Sequence, residues 1–165
     1  MDQTIPATNR WRRIAIVTVP AIVLLGFLSG QASNSGYGNP WFDALIKPSA
    51  MPPGWAFGAA WTLLYGLMGV AVARVLASPP TVQRPSALAL FLLQLILNLA
   101  WTPMFFWAHL IFGALVLILA IFAAAVMTTI AFSRIDRVAA WLLVPYLAWL
   151  CFATLLNFQI LRLNH

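Results

Sequence analysis

Five long apolar runs, separated by short polar segments, dominate the pattern of hydrophobic and polar positions along the chain. Each run is close to the roughly 20 residues that a helix needs to cross a bilayer core of about 30 Å. The runs are continuously apolar rather than alternating, which favours helices over a membrane β-barrel. The sequence therefore predicts an all-α integral membrane protein, a single bundle of five transmembrane helices at residues 14–30, 55–76, 87–107, 110–132 and 138–161.

The first run has two interpretations. Arg10, Arg12 and Arg13 precede a short apolar stretch that ends in small and polar residues, a pattern shared by cleavable signal peptides and by membrane helices. The pair of arginines alone is too little for a twin-arginine export signal. A retained helix is the better interpretation, because basic residues commonly flank membrane helices.

Five crossings place the two termini on opposite sides, and the basic residues are divided unequally between those sides. Lys47 and Arg162 fall on the side opposite the N-terminus, whereas the N-terminal side holds Arg10, Arg12, Arg13, Arg74, Arg84, Arg134 and Arg137. Cytoplasmic loops carry the excess of Lys and Arg. The pattern predicts a bacterial inner-membrane protein with a cytoplasmic N-terminus and its C-terminus outside the cytoplasm.

Composition excludes several other classes of protein. Hydrophobic residues make up 63% and charged residues 7% of the 165 residues, whereas a soluble domain carries about 25% charged residues. A soluble globular protein and a disordered chain are both excluded. The net charge of +6 does not indicate a nucleic-acid partner, because the basic residues lie between apolar runs. The single cysteine, Cys151, excludes an internal disulfide and a multi-cysteine metal site.

One connection is much longer than the others. Segment 31–54 contains several Gly and Pro residues and is too broken for a long helix. Long loops in compact proteins are often binding loops or lids. Trp41 and Phe42 in this segment either cap a pocket or anchor the loop at the membrane interface.

The polar and aromatic residues inside three runs recur at helical spacing. No Asp, Glu, Lys or Arg lies in the middle of a run, which argues against ion pumping. The spacing places the remaining polar and aromatic residues on one face of each helix. These faces are Phe57, Trp61, Tyr65 and Met68 in the second run, Gln94, Asn98, Trp101, Thr102 and Phe105 in the third, and Tyr146, Trp149, Ala153 and Asn157 in the fifth.

The three faces have two explanations. If they converge, they form a pocket walled by indole and phenol rings with a few hydrogen-bonding groups, which suits a large, flat, apolar ligand. Alternatively they are helix-packing faces, in which Asn and Gln hydrogen-bond between helices. Spacing alone favours the packing explanation, because polar residues of a membrane bundle face its interior whatever its function.

Other candidate sites are weaker. His109 lies between the third and fourth runs, where it either ligates haem iron or lies at the membrane interface; a lone histidine without a partner favours the interface. Nucleophile triads, phosphate loops and zinc motifs are absent, so the sequence predicts no metal site and no conventional enzyme. Gly26 and Gly30 form a GxxxG pair that packs within the bundle or between protomers.

Three longer motifs carry a family resemblance. They are Lys-Pro-Ser at 47–49 with Pro-Pro-Gly-Trp at 52–55 and Trp-Thr-Leu-Leu-Tyr at 61–65, then Gln94 with Leu-Asn-Leu-Ala-Trp-Thr-Pro at 97–103, and finally Val-Pro-Tyr-Leu-Ala-Trp at 144–149 with Leu-Asn-Phe at 156–158. With these motifs in order, the chain resembles the TspO/translocator protein family (TspO/MBR). Its members are also called tryptophan-rich sensory proteins or peripheral-type benzodiazepine receptors. The resemblance covers almost the whole chain.

The resemblance implies a five-helix bundle, often a homodimer, in the lipid bilayer. It implies binding of porphyrins such as protoporphyrin IX and haem, and of isoquinoline-like molecules, with porphyrin as a ligand and no required cofactor. The pocket residues of the family match Trp61, Asn98, Trp149 and Ala153, and its first loop matches Trp41, Pro52 and Pro53. The tryptophan that matches Trp61 is linked in the family to light-dependent porphyrin breakdown.

The expected function is therefore a membrane-embedded binder of porphyrins that acts as a sensor or regulator of tetrapyrrole and stress metabolism. The alternatives are a light-dependent porphyrin-degrading activity, with Trp61 as its catalytic residue, and a transporter of porphyrins, sterols or lipids. Two departures from the family pattern bear on these expectations. Ala50 replaces a tryptophan in the loop, and Phe158 replaces the tyrosine of the proposed cholesterol motif, so no sterol binding is predicted.

Overall fold

A computed structural model describes residues 7–164 of the chain. Its helices are α1 (Ala7–Ala32), α2 (Pro40–Ala44), α3 (Gly54–Ala77), α4 (Arg84–Phe106), α5 (Ile111–Ser133) and α6 (Arg137–Leu163). Within residues 7–164, five helices are long and apolar enough to cross a membrane, namely all but α2. The prediction of five membrane helices is confirmed.

The five long helices form a closed ring. In order around the bundle, α1 packs on α3, α3 on α6, α6 on α5, α5 on α4, and α4 again on α1. The first run is thus a continuous helix packed in the bundle, which supports its interpretation as a membrane crossing. Two side-chain hydrogen bonds hold α1 in place: the hydroxyl of Thr18 donates to the carbonyl oxygen of Gly69 at 2.7 Å, and that of Ser29 donates to the carbonyl oxygen of Leu99 at 2.8 Å.

Glycine allows α1 and α3 to approach each other closely. A Cβ atom on Gly69 would lie 2.6 Å from the Cα atom of Val19, and a Cβ atom on Gly26 would overlap the ring of Tyr65. A Cβ atom on Gly30 would lie 3.1 Å from the Ser35 hydroxyl oxygen of the same chain. Gly26 therefore packs against α3 within the bundle, which is one of the two alternatives for the Gly26–Gly30 pair.

One end of the bundle, here called the arginine end, contains the start of α1, the end of α3 and the start of α6. A guanidinium nitrogen of Arg74 lies 2.9 Å from a carboxylate oxygen of Asp136, and the Arg74 guanidinium carbon lies 5.6 Å from the ring centre of Trp11. Asp136 also caps α6 by accepting a hydrogen bond from the Ala139 amide at 3.0 Å. One charged pair thus joins three helices at this end.

The opposite end, here called the loop end, carries residues 33–53, which we call the loop segment. Within it, Asn39 caps α2 by accepting hydrogen bonds from the amides of Trp41 and Phe42, and Pro40 occupies the first turn. The Asn39 side chain also donates to the carbonyl oxygens of Asn34 and Phe106. The N-cap residue of α2 therefore fastens the loop segment to the end of α4. The sequence analysis did not predict this short helix.

Candidate functional site

A cavity of about 830 Å³ lies between the long helices in the half of the bundle nearest the loop end. All five long helices and the loop segment contribute to its lining. None of the described residues that line it is charged; the polar groups are amides and hydroxyls, including those of Thr62, Asn98, Thr102 and Asn157. A neutral cavity of this size suits the uncharged body of a large organic ligand.

Aromatic rings from α3 and α6 form one wall of the cavity. The indole of Trp61 stacks on the ring of Tyr65, with 5.2 Å between ring centres, and meets Trp149 edge to face at 6.2 Å. Phe57 of α3 packs edge to face on Trp149 of α6, with 5.9 Å between ring centres. The aromatic faces predicted for these two helices therefore converge, and they present ring faces on which a flat apolar molecule can stack.

A hydrogen-bonded group of three side chains closes the inner end of the cavity. The Tyr65 hydroxyl donates to Asn98 Oδ1 at 2.7 Å, and Asn98 Nδ2 donates to the Tyr146 hydroxyl oxygen at 3.0 Å. All three side chains are buried. Asn98 thus joins α4 to α3 and α6, and it holds the tyrosine against which Trp61 stacks.

We predict that replacing Asn98 with leucine lowers the stability of the bundle. The change removes two buried interhelical hydrogen bonds, which together contribute about 1–2 kcal/mol in membrane proteins. The thermal unfolding midpoint of the protein in detergent micelles measures the effect. Thr154→Val is the matched control, because the Thr154 hydroxyl donates to the Leu150 carbonyl oxygen of its own helix and so does not join two helices. An Asn98→Leu protein as stable as this control would contradict the prediction.

Two buried polar atoms in the cavity wall have no hydrogen-bond partner among the described residues. They are the indole nitrogen Nε1 of Trp149 and the amide oxygen Oδ1 of Asn157. Asn157 uses its Nδ2 to donate to the Ile111 carbonyl oxygen at 3.1 Å, which fixes the orientation of the amide. Both atoms belong to residues of the wall but are themselves buried, and such unpaired groups are rare because buried polar groups are normally paired.

Most residues predicted to bind a ligand do line the cavity. Those in the lining are Phe57, Trp61, Tyr65, Asn98, Trp101, Phe105, Trp149, Ala153 and Asn157. Tyr146 does not reach the lining and instead supports Asn98 from behind. Gln94 lies one helical turn before Asn98 and is only 1% exposed, in the core rather than in the wall. The helical spacing gave the correct face for both residues but not their depth.

The predicted residues of the loop segment also lie outside the lining. Trp41 stacks on the imidazole of His109, with 4.2 Å between ring centres, and meets the ring of Phe105 edge to face at 5.4 Å. Pro53 precedes α3 as its N-cap, and the carbonyl oxygen of Pro52 accepts a hydrogen bond from the Tyr37 hydroxyl at 3.2 Å. Trp41, Pro52 and Pro53 therefore hold the roof of the cavity, while Tyr37, Phe42 and Met51 line it.

The sequence analysis missed the contributions of α1 and α5. The α1 wall includes Val23, Gly26 and Phe27, and the α5 wall includes Ile118 and Ile121. These residues are apolar or small and lie in continuously apolar runs. No polar or aromatic stripe marks the inner face of these helices, so nothing in their sequence distinguishes the wall of a cavity from a packed core.

A shallower apolar depression of about 500 Å³ lies on the outer surface between α3 and α6. Ala60, Leu63, Ala148 and Phe152 contribute to its lining, and Trp149 lines both this depression and the cavity. On α6, therefore, Ala148 lies on the outer side of the bundle and Ala153 on the inner side.

Comparisons with known proteins agree with the fold and the motifs. Residues 16–163 match the model of the TspO/MBR family. The chain is 42% identical over 125 residues to the "Tryptophan-rich protein TspO" of Chlorobaculum tepidum, covering 75% of this chain and 79% of that protein. It is 41% identical over 143 residues to the human "Translocator protein", covering 86% and 85% of the two chains, and 42% identical over 124 residues to the "Tryptophan-rich sensory protein" of Cereibacter sphaeroides, covering 75% and 77%.

Proposed function

The chain belongs to the TspO/MBR family of multi-pass integral membrane proteins, and we propose that it binds porphyrins in the cavity between its helices. The observation that carries the proposal is the neutral cavity of about 830 Å³ with Trp61 and Trp149 in its wall. A porphyrin is a large, flat, mostly apolar ring. Stacking on the indoles holds such a ring, and the few polar atoms of the wall orient it.

The role we propose is that of a sensor or regulator of tetrapyrrole and stress metabolism. Occupation of the cavity reports the supply of tetrapyrrole in the membrane. The neutral lining supports binding rather than ion-coupled transport. Ion coupling needs ionisable groups inside the membrane, and the described lining residues carry no charge.

We also propose an orientation in the membrane. The starts of α1, α4 and α6 and the ends of α3 and α5 hold seven arginines, and the loop end holds Lys47 and Arg162. Because cytoplasmic segments carry the excess of basic residues, the arginine end faces the cytoplasm. The loop segment and the nearby end of the cavity then lie on the other side of a bacterial inner membrane.

A titration in the dark tests the proposed binding. We predict saturable quenching of tryptophan fluorescence when protoporphyrin IX is added to the detergent-solubilised protein, and roughly tenfold weaker binding in Trp61→Ala. An aromatic pair contributes about 0.5–1.5 kcal/mol beyond buried area, and about 1.4 kcal/mol corresponds to tenfold in affinity.

Trp141→Ala is the matched control for this titration. Trp141 is 71% exposed on the outside of α6, so its removal costs one fluorophore without changing the cavity. We expect this variant to bind like the unchanged protein. Equal affinities of Trp61→Ala and Trp141→Ala, or quenching that does not saturate, would count against binding in the cavity.

A further inference from the structure

The loop segment places a single cation over two rings that line the cavity. The ammonium nitrogen of Lys47 lies 4.8 Å from the ring centre of Phe42 and 5.8 Å from that of Tyr37. Phe42 and Tyr37 both contribute to the cavity lining. The positive charge is therefore held beside two rings of the cavity roof, and these rings stabilise it there, although Lys47 is not itself part of the neutral lining.

The hydrogen bonds of Lys47 leave one of its donors free. The ammonium group has three N–H donors, and two of them reach the carbonyl oxygens of Asp43 at 3.1 Å and Leu45 at 3.2 Å. The Asp43 carboxylate accepts a hydrogen bond from the Gly38 amide instead of pairing with Lys47. Over residues 7–164, the ion pair that the structure contains is Arg74–Asp136 at the opposite end, so Lys47 has no anionic partner within that range.

The backbone on both sides of Lys47 is fixed. The Ile46 amide donates to Oδ1 of Asn164 at 2.8 Å, and Nδ2 of Asn164 donates to the Ile46 carbonyl oxygen at 2.9 Å. One side-chain amide at the end of α6 thus satisfies both backbone groups of Ile46, and Pro48 on the other side is buried. Because its backbone and its ammonium group are already positioned, Lys47 needs little further ordering to bind an anion.

The other cation of the loop end is placed differently. The guanidinium carbon of Arg162 lies 6.0 Å from the ring centre of Phe158, an exposed residue that is not part of the cavity lining. Lys47 is therefore the described cation that can neutralise an anionic group at the edge of a ligand in the cavity.

We propose that Lys47 is a carboxylate-binding subsite at the roof of the cavity, which distinguishes tetrapyrroles that carry carboxylates on one edge from their neutral esters. The proposal rests on the proposed function of the cavity. In it, the ring stacks on the aromatic wall, and a carboxylate at the rim accepts the third N–H of the ammonium group as a charge-assisted hydrogen bond. The charged edge then lies at the loop end, where it need not be buried among neutral groups.

The test compares protoporphyrin IX, a diacid, with its dimethyl ester in the dark titration. We expect Lys47→Gln to weaken binding of the diacid about fivefold, the effect of a partly exposed charge pair, and to leave binding of the ester unchanged. Lys47→Arg restores the preference for the diacid, because it keeps the charge. Arg162→Gln is the matched control, which removes the same charge at the same end and leaves both affinities unchanged.

Several outcomes would overturn the subsite. If Lys47→Gln weakens the diacid and the ester equally, Lys47 supports the roof and does not bind carboxylate. If neither compound binds the unchanged protein saturably, the proposed function fails and the subsite with it; if the ester binds and Lys47→Gln does not change the diacid, the subsite alone fails.

A lipid phosphate is the other anion that the ammonium group can bind. The titrations are therefore repeated in nanodiscs of phosphatidylcholine alone and with phosphatidylglycerol added. We expect the diacid preference in both. A Lys47-dependent effect seen only with phosphatidylglycerol, and equal for diacid and ester, would assign the cation to lipid and overturn the proposal.

Discussion

Replacing Gly69 with alanine is expected to lower the thermal unfolding midpoint of the purified protein by several degrees. The new Cβ atom would lie 2.6 Å from Cα and 2.9 Å from the backbone nitrogen of Val19, so no side-chain rotation can relieve the contact and α1 must move away from α3. Overpacking of this kind costs about 1–3 kcal/mol, and each kcal/mol shifts the midpoint by roughly 2–4 °C in a chain of this size.

The same substitution is expected to weaken ligand binding. Only 6% of the residues in the most apolar stretch of α1 are buried, so the close crossing with α3 is the main contact that holds this helix in place. Displacing α1 also breaks the hydrogen bond from Thr18 to the Gly69 carbonyl and moves Val23 and Gly26 away from the cavity. The dark titration with protoporphyrin IX measures this second effect on the same preparation.

Gly66→Ala provides the matched control for Gly69→Ala. A Cβ atom on Gly66 meets nothing within 4 Å, and alanine favours a helix over glycine by about 1 kcal/mol. We expect this variant to be as stable as the unchanged protein or slightly more stable, with unchanged binding. If Gly69→Ala behaves like Gly66→Ala, α1 and α3 do not cross as closely as the structure shows.

The positions of the long helices could be predicted because lipid imposes a minimum length and an almost uninterrupted apolar composition. Most ends agree within three residues, as for 87–107 against Arg84–Phe106. The exception is α1, predicted at 14–30 and observed over Ala7–Ala32, because its first turns contain polar and basic residues that a hydropathy criterion rejects. Polar and basic residues do not interrupt a helix, so the backbone hydrogen bonds of α1 continue through them.

The start of helix α2 is marked in the sequence by a capping signal, which a hydropathy criterion does not detect. Asn39 followed by Pro40 is a typical start of a helix, with a capping amide and a proline in the first turn. The five residues of α2 are too few to show a periodic pattern. Their arrangement depends on the contact of Asn39 with the carbonyl oxygen of Phe106, which is 67 residues away and cannot be read from the local sequence.

The candidate site could be predicted in part, for a reason that concerns polar groups. Tyr65, Asn98 and Tyr146 stand out in apolar runs because a buried polar group needs a partner, and the structure pairs these three with one another. Spacing along a helix gives the face of a residue but not its distance from a cavity. For this reason the sequence could not show that Gln94 lies in the core and outside the cavity lining. The clamp of Asn164 on Ile46 joins distant segments and had no signal in the sequence.

Filling the cavity from α6 is expected to abolish porphyrin binding. Ala153 lines the cavity one turn after Trp149, and phenylalanine at this position places a ring in the space beside the aromatic wall. The cavity can accommodate the ring, so the fold should persist with a similar unfolding midpoint. The stacking position of the ligand is then occupied, and we expect at least a hundredfold loss of affinity, or roughly 2.8 kcal/mol.

The same substitution on the outer side of α6 separates binding inside the bundle from binding at its surface. Ala148 lines the shallow depression between α3 and α6, where a phenylalanine faces outward and leaves the cavity unchanged. We expect Ala148→Phe to bind protoporphyrin IX like the unchanged protein. The reverse result, with binding lost in Ala148→Phe and kept in Ala153→Phe, would move the ligand to the outer depression. Because Trp149 borders both spaces, tryptophan quenching alone cannot distinguish them, and the pair of alanine positions can.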